Sequence, residues 1–118
     1  MTRDVRVYLE DILESIARIE EYTTGYDEPR FMRTAQIQDA VLRRLEVIGE
    51  AVKNVPQSLR DRYPQIPWKT IAGLRDVLIH QYFGVNLLRT WKVVKEDLPG
   101  LRVQIGGILD EFEKGNSE

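Results

Sequence analysis

The sequence predicts a single all-α domain, and three observations support that prediction. Its 118 residues fit one domain of ordinary size. Apolar residues recur at spacings of three and four, as in amphipathic helices, and no segment shows the alternation of a half-buried strand. With 42% apolar residues and no cysteine, the chain can bury a core without cross-links. We therefore expect an up-down bundle of four or five helices over residues 1–113 and a polar tail, 114–118.

Two helices are predicted in the first half of the chain. The first runs from Asp4 to about Tyr22, where Glu and Arg separate the apolar positions, and it ends before Thr23-Thr24-Gly25. The second begins near Asp27, which can cap it while Pro29 occupies the first turn. Its apolar period continues without interruption, so one long helix is expected as far as Asn54.

Prolines and glycines divide the second half. Residues 55–67 hold three of the five prolines and can contain at most one short helix, between Pro56 and Tyr63. A third long helix is predicted from Trp68 to about Tyr82, with a buried stripe and a stop at Gly84. The stripe comprises Trp68, Ile71, Leu74, Leu78 and Ile79.

Two more helices are predicted near the end of the chain. Asn86 can cap a helix over 87–97. Pro99 can open another over 100–112, because its missing N–H has no partner to lose in a first turn.

Composition excludes several classes of function. Without cysteine, the chain has no thiolate metal site and no cysteine nucleophile, and its single histidine excludes a multi-histidine metal site within one protomer. No metal or other cofactor is expected. The 17 Lys+Arg and 19 Asp+Glu give a net charge of −2, so any nucleic-acid site has to be local. No apolar run suits a secretory signal or a membrane span, and we expect a soluble cytoplasmic protein.

The most informative segment is 73–83, which contains the only histidine. On a helix, Arg75 and Tyr82 lie nearly on one line, and Asp76 and His80 form an adjacent row. The helix dipole and the Asp76 carboxylate both favour the imidazolium form of His80, which can then exchange a proton. Arg75 can stabilise charge on a phosphate. These groups suit metal-free cleavage of RNA through attack by the ribose 2′-hydroxyl.

A structural interpretation of the same residues competes with this one. A lone histidine at a helix C-terminus often interacts only with the helix dipole, and an Arg–Asp row is often a solvated ion pair. On spacing alone, this structural interpretation is favoured. Tyr82 by itself is typical of a half-buried aromatic residue. Gly73 inside a helix predicts a close backbone approach between helices or protomers, and Gly49 and the Gly106-Gly107 pair permit the same.

Arg75, His80 and Tyr82 form an R-x4-H-x-Y pattern whose setting resembles the HepT type of HEPN-domain toxins, the partners of MNT-type minimal nucleotidyltransferases. The likeness covers nearly the whole chain. It includes Ile48-Gly49-Glu50-Ala51, the proline-rich connector, Ile71-Ala72-Gly73-Leu74-Arg75-Asp76, Tyr82-Phe83-Gly84-Val85, Trp91 and Asp97-Leu98-Pro99.

The resemblance implies a homodimeric helical bundle of the HEPN type, with two motif helices facing each other across one RNA cleft. His80 would be the acid and base, Arg75 would hold the scissile phosphate, and Asp76, where the family often has Asn, would orient His80. Tyr82 would be the hydroxyl that a cognate nucleotidyltransferase antitoxin modifies with AMP, blocking the cleft.

Three functions follow from these interpretations. The first is a metal-independent endoribonuclease toxin that is neutralised by AMPylation of Tyr82. The second is a non-catalytic helical module that binds a nucleotidyltransferase or a nucleotide, and the third is a purely structural helical dimer. Arg43, Arg44, Arg60 and Arg62 are candidates for an RNA path, although exposed arginines are commonly only solvated.

Overall fold

Every regular element in the described part of the chain is helical. The computed structural model describes residues 4–74, 76 and 86–116. Its helices are α1 (Val5–Thr23), α2 (Glu28–Met32), α3 (Ala35–Lys53), α4 (Gln57–Arg62), α5 (Trp68–Ala72), α6 (Leu87–Lys92) and α7 (Leu98–Asn116), and a π-helical turn (Val93–Asp97) joins α6 to α7. The predicted all-α bundle is confirmed. No helix in these ranges has the length and apolar character needed to cross a bilayer.

The core lies between the three long helices. Helix α1 packs along α3 and α7, and each directs a stripe of apolar side chains inward at spacings of three and four. Burial of these side chains supplies the main driving force for folding. The fully buried members are Leu9, Ile12, Ile16, Ile19, Val41, Leu45, Ile48, Val52, Ile105 and Ile108.

Two of the predicted helix caps are confirmed by their hydrogen bonds. The Asp27 carboxylate accepts from the backbone N–H of Arg30 (2.9 Å), and Pro29 lies in the first turn of α2. The Asn86 side-chain oxygen accepts from the N–H of Arg89 (3.0 Å) at the start of α6. Each cap satisfies a donor that a helix N-terminus leaves without a partner.

The single helix predicted from Asp27 to Asn54 was wrong, because the chain breaks between α2 and α3. The Thr34 hydroxyl donates to a carbonyl one turn earlier (2.6 Å), and the Gln38 amide donates to the carbonyl of Phe31 (2.8 Å). The same two carbonyls accept backbone N–H groups three residues on (3.2 and 3.3 Å), so side chains and a tighter turn replace the bonds of a continuous helix. The break leaves Phe31 fully buried, with its ring centroid 5.0 Å from that of Trp91.

Both helices predicted near the end of the chain are present, but the break predicted between them at Pro99 is wrong, since the chain stays helical through this residue. A proline inside an α-helix removes an N–H donor and clashes with the carbonyl four residues earlier. Here the N–H of Leu98 bonds to the carbonyl of Val93, five residues back. This wider turn makes room for the proline ring. Helix α7 then continues to Asn116, so residues 114–116 of the predicted tail are helical.

The connector and the third predicted helix are described in part. Helix α4 is the one short helix predicted between Pro56 and Tyr63. Helix α5 begins at Trp68 as predicted, and Leu74 and Asp76 are also helical. Of the predicted stripe, Trp68, Ile71 and Leu74 are buried, whereas Leu78 and Ile79 lie outside the described residues.

Candidate active site

Three of the four predicted site residues, Arg75, His80 and Tyr82, lie outside the described residues. Asp76 is described and is an exposed helical residue. Convergence of the four side chains therefore stays a prediction. The structure does define the elements that bracket the motif, α5 on one side and α6 on the other.

The segment that leads into the motif is anchored by buried side chains. The indole N–H of Trp68 donates to the carbonyl of Tyr63 (3.0 Å), which ties the start of α5 to the end of the proline-rich connector. Trp68 is only 6% exposed, and Ile71 and Leu74 are buried with it. The backbone one residue before Arg75 is thus fixed against the core.

Gly49 brings α3 unusually close to α5. A Cβ atom at this position would lie 3.3 Å from the carbonyl oxygen of Ile71 and 3.4 Å from that of Ala72. The close backbone approach allowed for Gly49 is therefore confirmed. Apart from neighbouring residues and the backbone of the same helix, no described atom lies within 4 Å of the corresponding Cβ position at Gly106 or Gly107, so these two residues make no similar close approach within the described chain.

The segment that follows the motif is anchored by a second tryptophan. Trp91 in α6 is 7% exposed and packs against Phe31 of α2. The buried Thr90 hydroxyl donates to the carbonyl of Asn86 (2.9 Å), in addition to the cap that Asn86 itself provides. On the outer side of Trp91, the ammonium of Lys95 lies 4.9 Å from the ring centroid.

An apolar groove of about 580 Å³ opens beside Leu74, between α5 and the π-helical turn with the start of α7. Its walls include Ile71 and Val103, and its polar edge carries Glu96 and Asp97. Val103 is 75% exposed. The apolar walls and the two carboxylates suit contact with another protein surface better than contact with a polyanion.

Most of the arginines considered for an RNA path have other partners. Arg43 forms an ion pair with Glu46 (2.6 Å). The Arg60 guanidinium donates to two carbonyls at the end of α3 (2.6 and 3.0 Å), and Arg62 lies over the ring of the next residue. Arg44 has no ion pair with a described carboxylate. Arg60 therefore has a structural role that the sequence pattern did not indicate.

A second cavity, of about 630 Å³, lies between α1 and α3 and has mixed charge. Tyr8, Asp11, Arg43 and Glu50 are among the residues that line it. In the described ranges, no group of three or more histidine, aspartate or glutamate side chains is placed to hold a metal ion.

Charge is unevenly distributed along the chain, a signal that the overall balance conceals. Residues 62–95, which include the motif, contain six Lys and Arg but a single acid, Asp76, for a net charge of +5. The rest of the chain contains 11 basic and 18 acidic residues, for a net charge of −7. Counting charge by segment, rather than over the whole chain, finds this local basic region.

Comparison with known proteins identifies relatives over nearly the full length. The family model described as "Ribonuclease HepT-like" matches residues 12–108. A Methanocaldococcus jannaschii protein named "Gamma-glutamylcyclotransferase and putative RNase" is 50% identical over 117 residues, which cover 99% of this chain and 53% of that protein. The chain thus spans about half the length of this relative.

Two further relatives are matched over most of their own length. The "Probable ribonuclease HepT" of Thermococcus cleftensis is 48% identical over 102 residues, which cover 86% of this chain and 93% of that protein. Another M. jannaschii protein, named a "Putative RNase", is 43% identical over 112 residues, covering 95% of this chain and 97% of that protein. No solved structure shows significant similarity.

Proposed function

We propose that this chain, which belongs to the HepT-like ribonuclease family, is an endoribonuclease that cleaves RNA without a metal ion. The observation that carries the proposal is the R-x4-H-x-Y pattern of Arg75, His80 and Tyr82 inside the matched range 12–108. The basic character of residues 62–95 supports it, because the motif lies in a segment with a net charge of +5, which attracts a polyanion.

Each motif residue has a role in the proposed reaction. His80 takes the proton from the 2′-hydroxyl, whose oxygen attacks the neighbouring phosphorus while the bond to the 5′ oxygen breaks. The leaving oxygen receives a proton from an imidazolium. Arg75 stabilises the extra negative charge on the phosphate, and Asp76 orients His80. Protein groups of these kinds typically contribute about 10²- to 10⁴-fold each.

The active unit that we propose is a homodimer in which the two motifs share one cleft. Two copies supply two Arg75 and two His80, so that one imidazole acts as base and the other as acid. The apolar groove beside Leu74 and the 75% exposed Val103 support an interface near the motif, because association would remove both from water.

The regulation that we propose is AMPylation of Tyr82 by a cognate MNT-type nucleotidyltransferase, which makes the chain the toxin of a toxin–antitoxin pair. Transfer of AMP to the phenolic oxygen releases pyrophosphate from ATP and places a phosphodiester beside the cleft, where its charge and bulk oppose RNA. Mass spectrometry after incubation with ATP and the co-encoded nucleotidyltransferase should show AMP-sized additions on Tyr82. Modification that persists in Tyr82→Phe would contradict this assignment.

The catalytic proposal is tested by RNA cleavage in EDTA. Wild type is expected to cut, whereas His80→Ala and Arg75→Ala should lose at least about a hundredfold in rate while circular dichroism shows the same helicity. The matched control is Arg102→Ala, which removes an exposed arginine whose charge is already paired with Glu20 (2.5 Å).

Two results would contradict the catalytic proposal. One is cleavage that is unchanged in both motif variants. The other is complex formation with RNA or with the nucleotidyltransferase but no cleavage at any protein concentration, which would establish the non-catalytic module instead. The apolar groove with its acidic edge is the feature that favours that second function.

A further inference from the structure

Three cations form a row on the helical segment that follows the motif. Arg89 and Lys92 belong to α6 and Lys95 to the π-helical turn, each three residues from the next, and all three are exposed. Residues at this spacing are neighbours on a helix surface. The row, which we name the α6 cationic row, extends about 9 Å along the helix axis at 1.5 Å per residue.

Within the described part of the chain, no ion pair neutralises the charge of the α6 cationic row. No described carboxylate forms an ion pair with any of its three members, and residues 75 and 77–85 contain no Asp or Glu. Arg43 and Arg102 differ in this respect, since they lie 2.6 and 2.5 Å from carboxylate oxygens. Exposed cations without such partners are free to bind an anion from solution.

The row is also held in place. The Lys95 ammonium lies over the ring of Trp91, and Trp91 is itself buried against Phe31. The Asn86 cap fixes the first turn of α6, where Arg89 lies. A row on a fixed backbone loses less conformational freedom when it binds a ligand than cations on a mobile segment would.

We propose that the α6 cationic row binds the phosphate backbone of the single-stranded RNA that the protein cleaves, and this inference rests on the proposed ribonuclease function. Charge complementarity identifies the ligand as a chain of phosphates, and about 9 Å accommodates two or three of them. A single strand is favoured because attack by the 2′-hydroxyl needs a backbone that can bring the attacking and leaving oxygens into line. The row ends at Glu96 and Asp97, whose carboxylates repel a continuing strand.

The first test measures binding without cleavage. His80→Ala protein is titrated with a labelled oligouridylate of twelve nucleotides at several salt concentrations, with and without Arg89→Gln, Lys92→Gln and Lys95→Gln combined. Each lost phosphate contact should lower the slope of log affinity against log salt by about 0.7, so the triple variant loses about 2. At physiological salt the same relation predicts roughly 4-fold weaker binding per contact and roughly 50-fold for three.

Arg43→Gln is the matched control, since its charge is already paired and its loss should leave the slope unchanged. A triple variant that keeps both the affinity and the slope of its parent would overturn the inference. So would unchanged RNA binding together with lost binding of the co-encoded nucleotidyltransferase, because the row would then be a protein-docking surface.

The second test separates this inference from the ribonuclease function on which it rests. With His80 intact, the triple variant should cleave the twelve-nucleotide RNA with a KM raised roughly 50-fold and an unchanged kcat. If wild type cleaves nothing, the ribonuclease proposal fails, and the binding test alone shows whether the α6 cationic row binds RNA. If wild type cleaves and the triple variant has the same KM, the α6 cationic row is excluded as an RNA-binding site, while the ribonuclease proposal stands.

Discussion

The close approach at Gly49 makes a specific prediction about the support of the motif. Replacing Gly49 with Ala places a Cβ atom 3.3 and 3.4 Å from two carbonyl oxygens of α5. These are backbone atoms, so they cannot rotate away as the end of a side chain can. Helix α5 has to move by a few tenths of an ångström, and α5 leads directly to Arg75.

The magnitude follows from comparison with a glycine that has open space. At the exposed Gly107, where no described atom lies within 4 Å of the Cβ position, Ala contributes only its better helix propensity, about 1 kcal/mol. At Gly49 the same gain is offset by overpacking, which typically costs about 1–3 kcal/mol. For a chain of 118 residues, 1 kcal/mol corresponds to roughly 4 °C in Tm. The two variants should therefore differ by about 4–12 °C in Tm.

Thermal unfolding followed by circular dichroism measures this difference. Gly107→Ala is expected to unfold at a higher temperature than wild type, and Gly49→Ala to unfold well below Gly107→Ala and to cleave RNA more slowly than wild type. If Gly49→Ala raises the Tm as much as Gly107→Ala does, α3 and α5 do not approach as closely as described.

Three further predictions concern contacts around the site. Asn86→Ala and Asp27→Ala should each cost about 1 kcal/mol of stability in urea unfolding, but only the cap beside the motif should also affect RNA cleavage; equal activity losses would contradict this. Arg60→Met should lower the free energy of unfolding by about 1–3 kcal/mol without changing RNA affinity, and the reverse result would assign this arginine to the RNA path. The hydrogen bond from the Tyr63 hydroxyl to the Glu111 carboxylate raises the pKa of Tyr63. Its stabilising effect is therefore complete below about pH 10, the pKa of an unfolded tyrosine, and is lost as the pH rises through the pKa of the folded state. Ultraviolet titration should show a late tyrosinate that Tyr63→Phe removes, and a titration without a late phase would refute this prediction.

Local sequence rules predicted the elements whose determinants are themselves local. The caps Asp27 and Asn86 and the short helix in the proline-rich connector depend on side chains and backbone within a few residues, and each is confirmed. Pro99 shows where such rules fail. A proline normally marks the start of a helix, but here Leu98 and Leu101 on either side of it are both buried against the core. Their burial favours continuing the helix and absorbing the proline in a π-helical turn.

The break after α2 has a similar cause. The apolar period continues from Phe31 into α3, so the pattern alone favours one helix. Interrupting it lets Phe31 pack against Trp91, which is 60 positions away along the chain. The pairing of distant side chains depends on how whole helices pack, and neither period nor propensity encodes it.

For the site, the sequence predicted the chemistry and missed the distribution of charge. Arg75, Asp76, His80 and Tyr82 are predicted site residues because their residue types and spacing place them on one side of a helix. The basic region was missed because acidic residues elsewhere outweigh it in the total. The structural role of Arg60 could not be predicted, since its carbonyl partners become neighbours only when the connector folds back on α3.

The uneven charge distribution resolves the apparent conflict between an acidic chain and an RNA substrate. At physiological salt, charges are screened beyond about 8 Å, so RNA responds to the local field and not to the net charge of −2. The net charge of +5 over residues 62–95 favours the strand there, although the remaining residues sum to −7. The proposed RNA site therefore depends on the cations of residues 62–95, because the net charge of −7 over the rest of the chain provides no overall attraction for RNA.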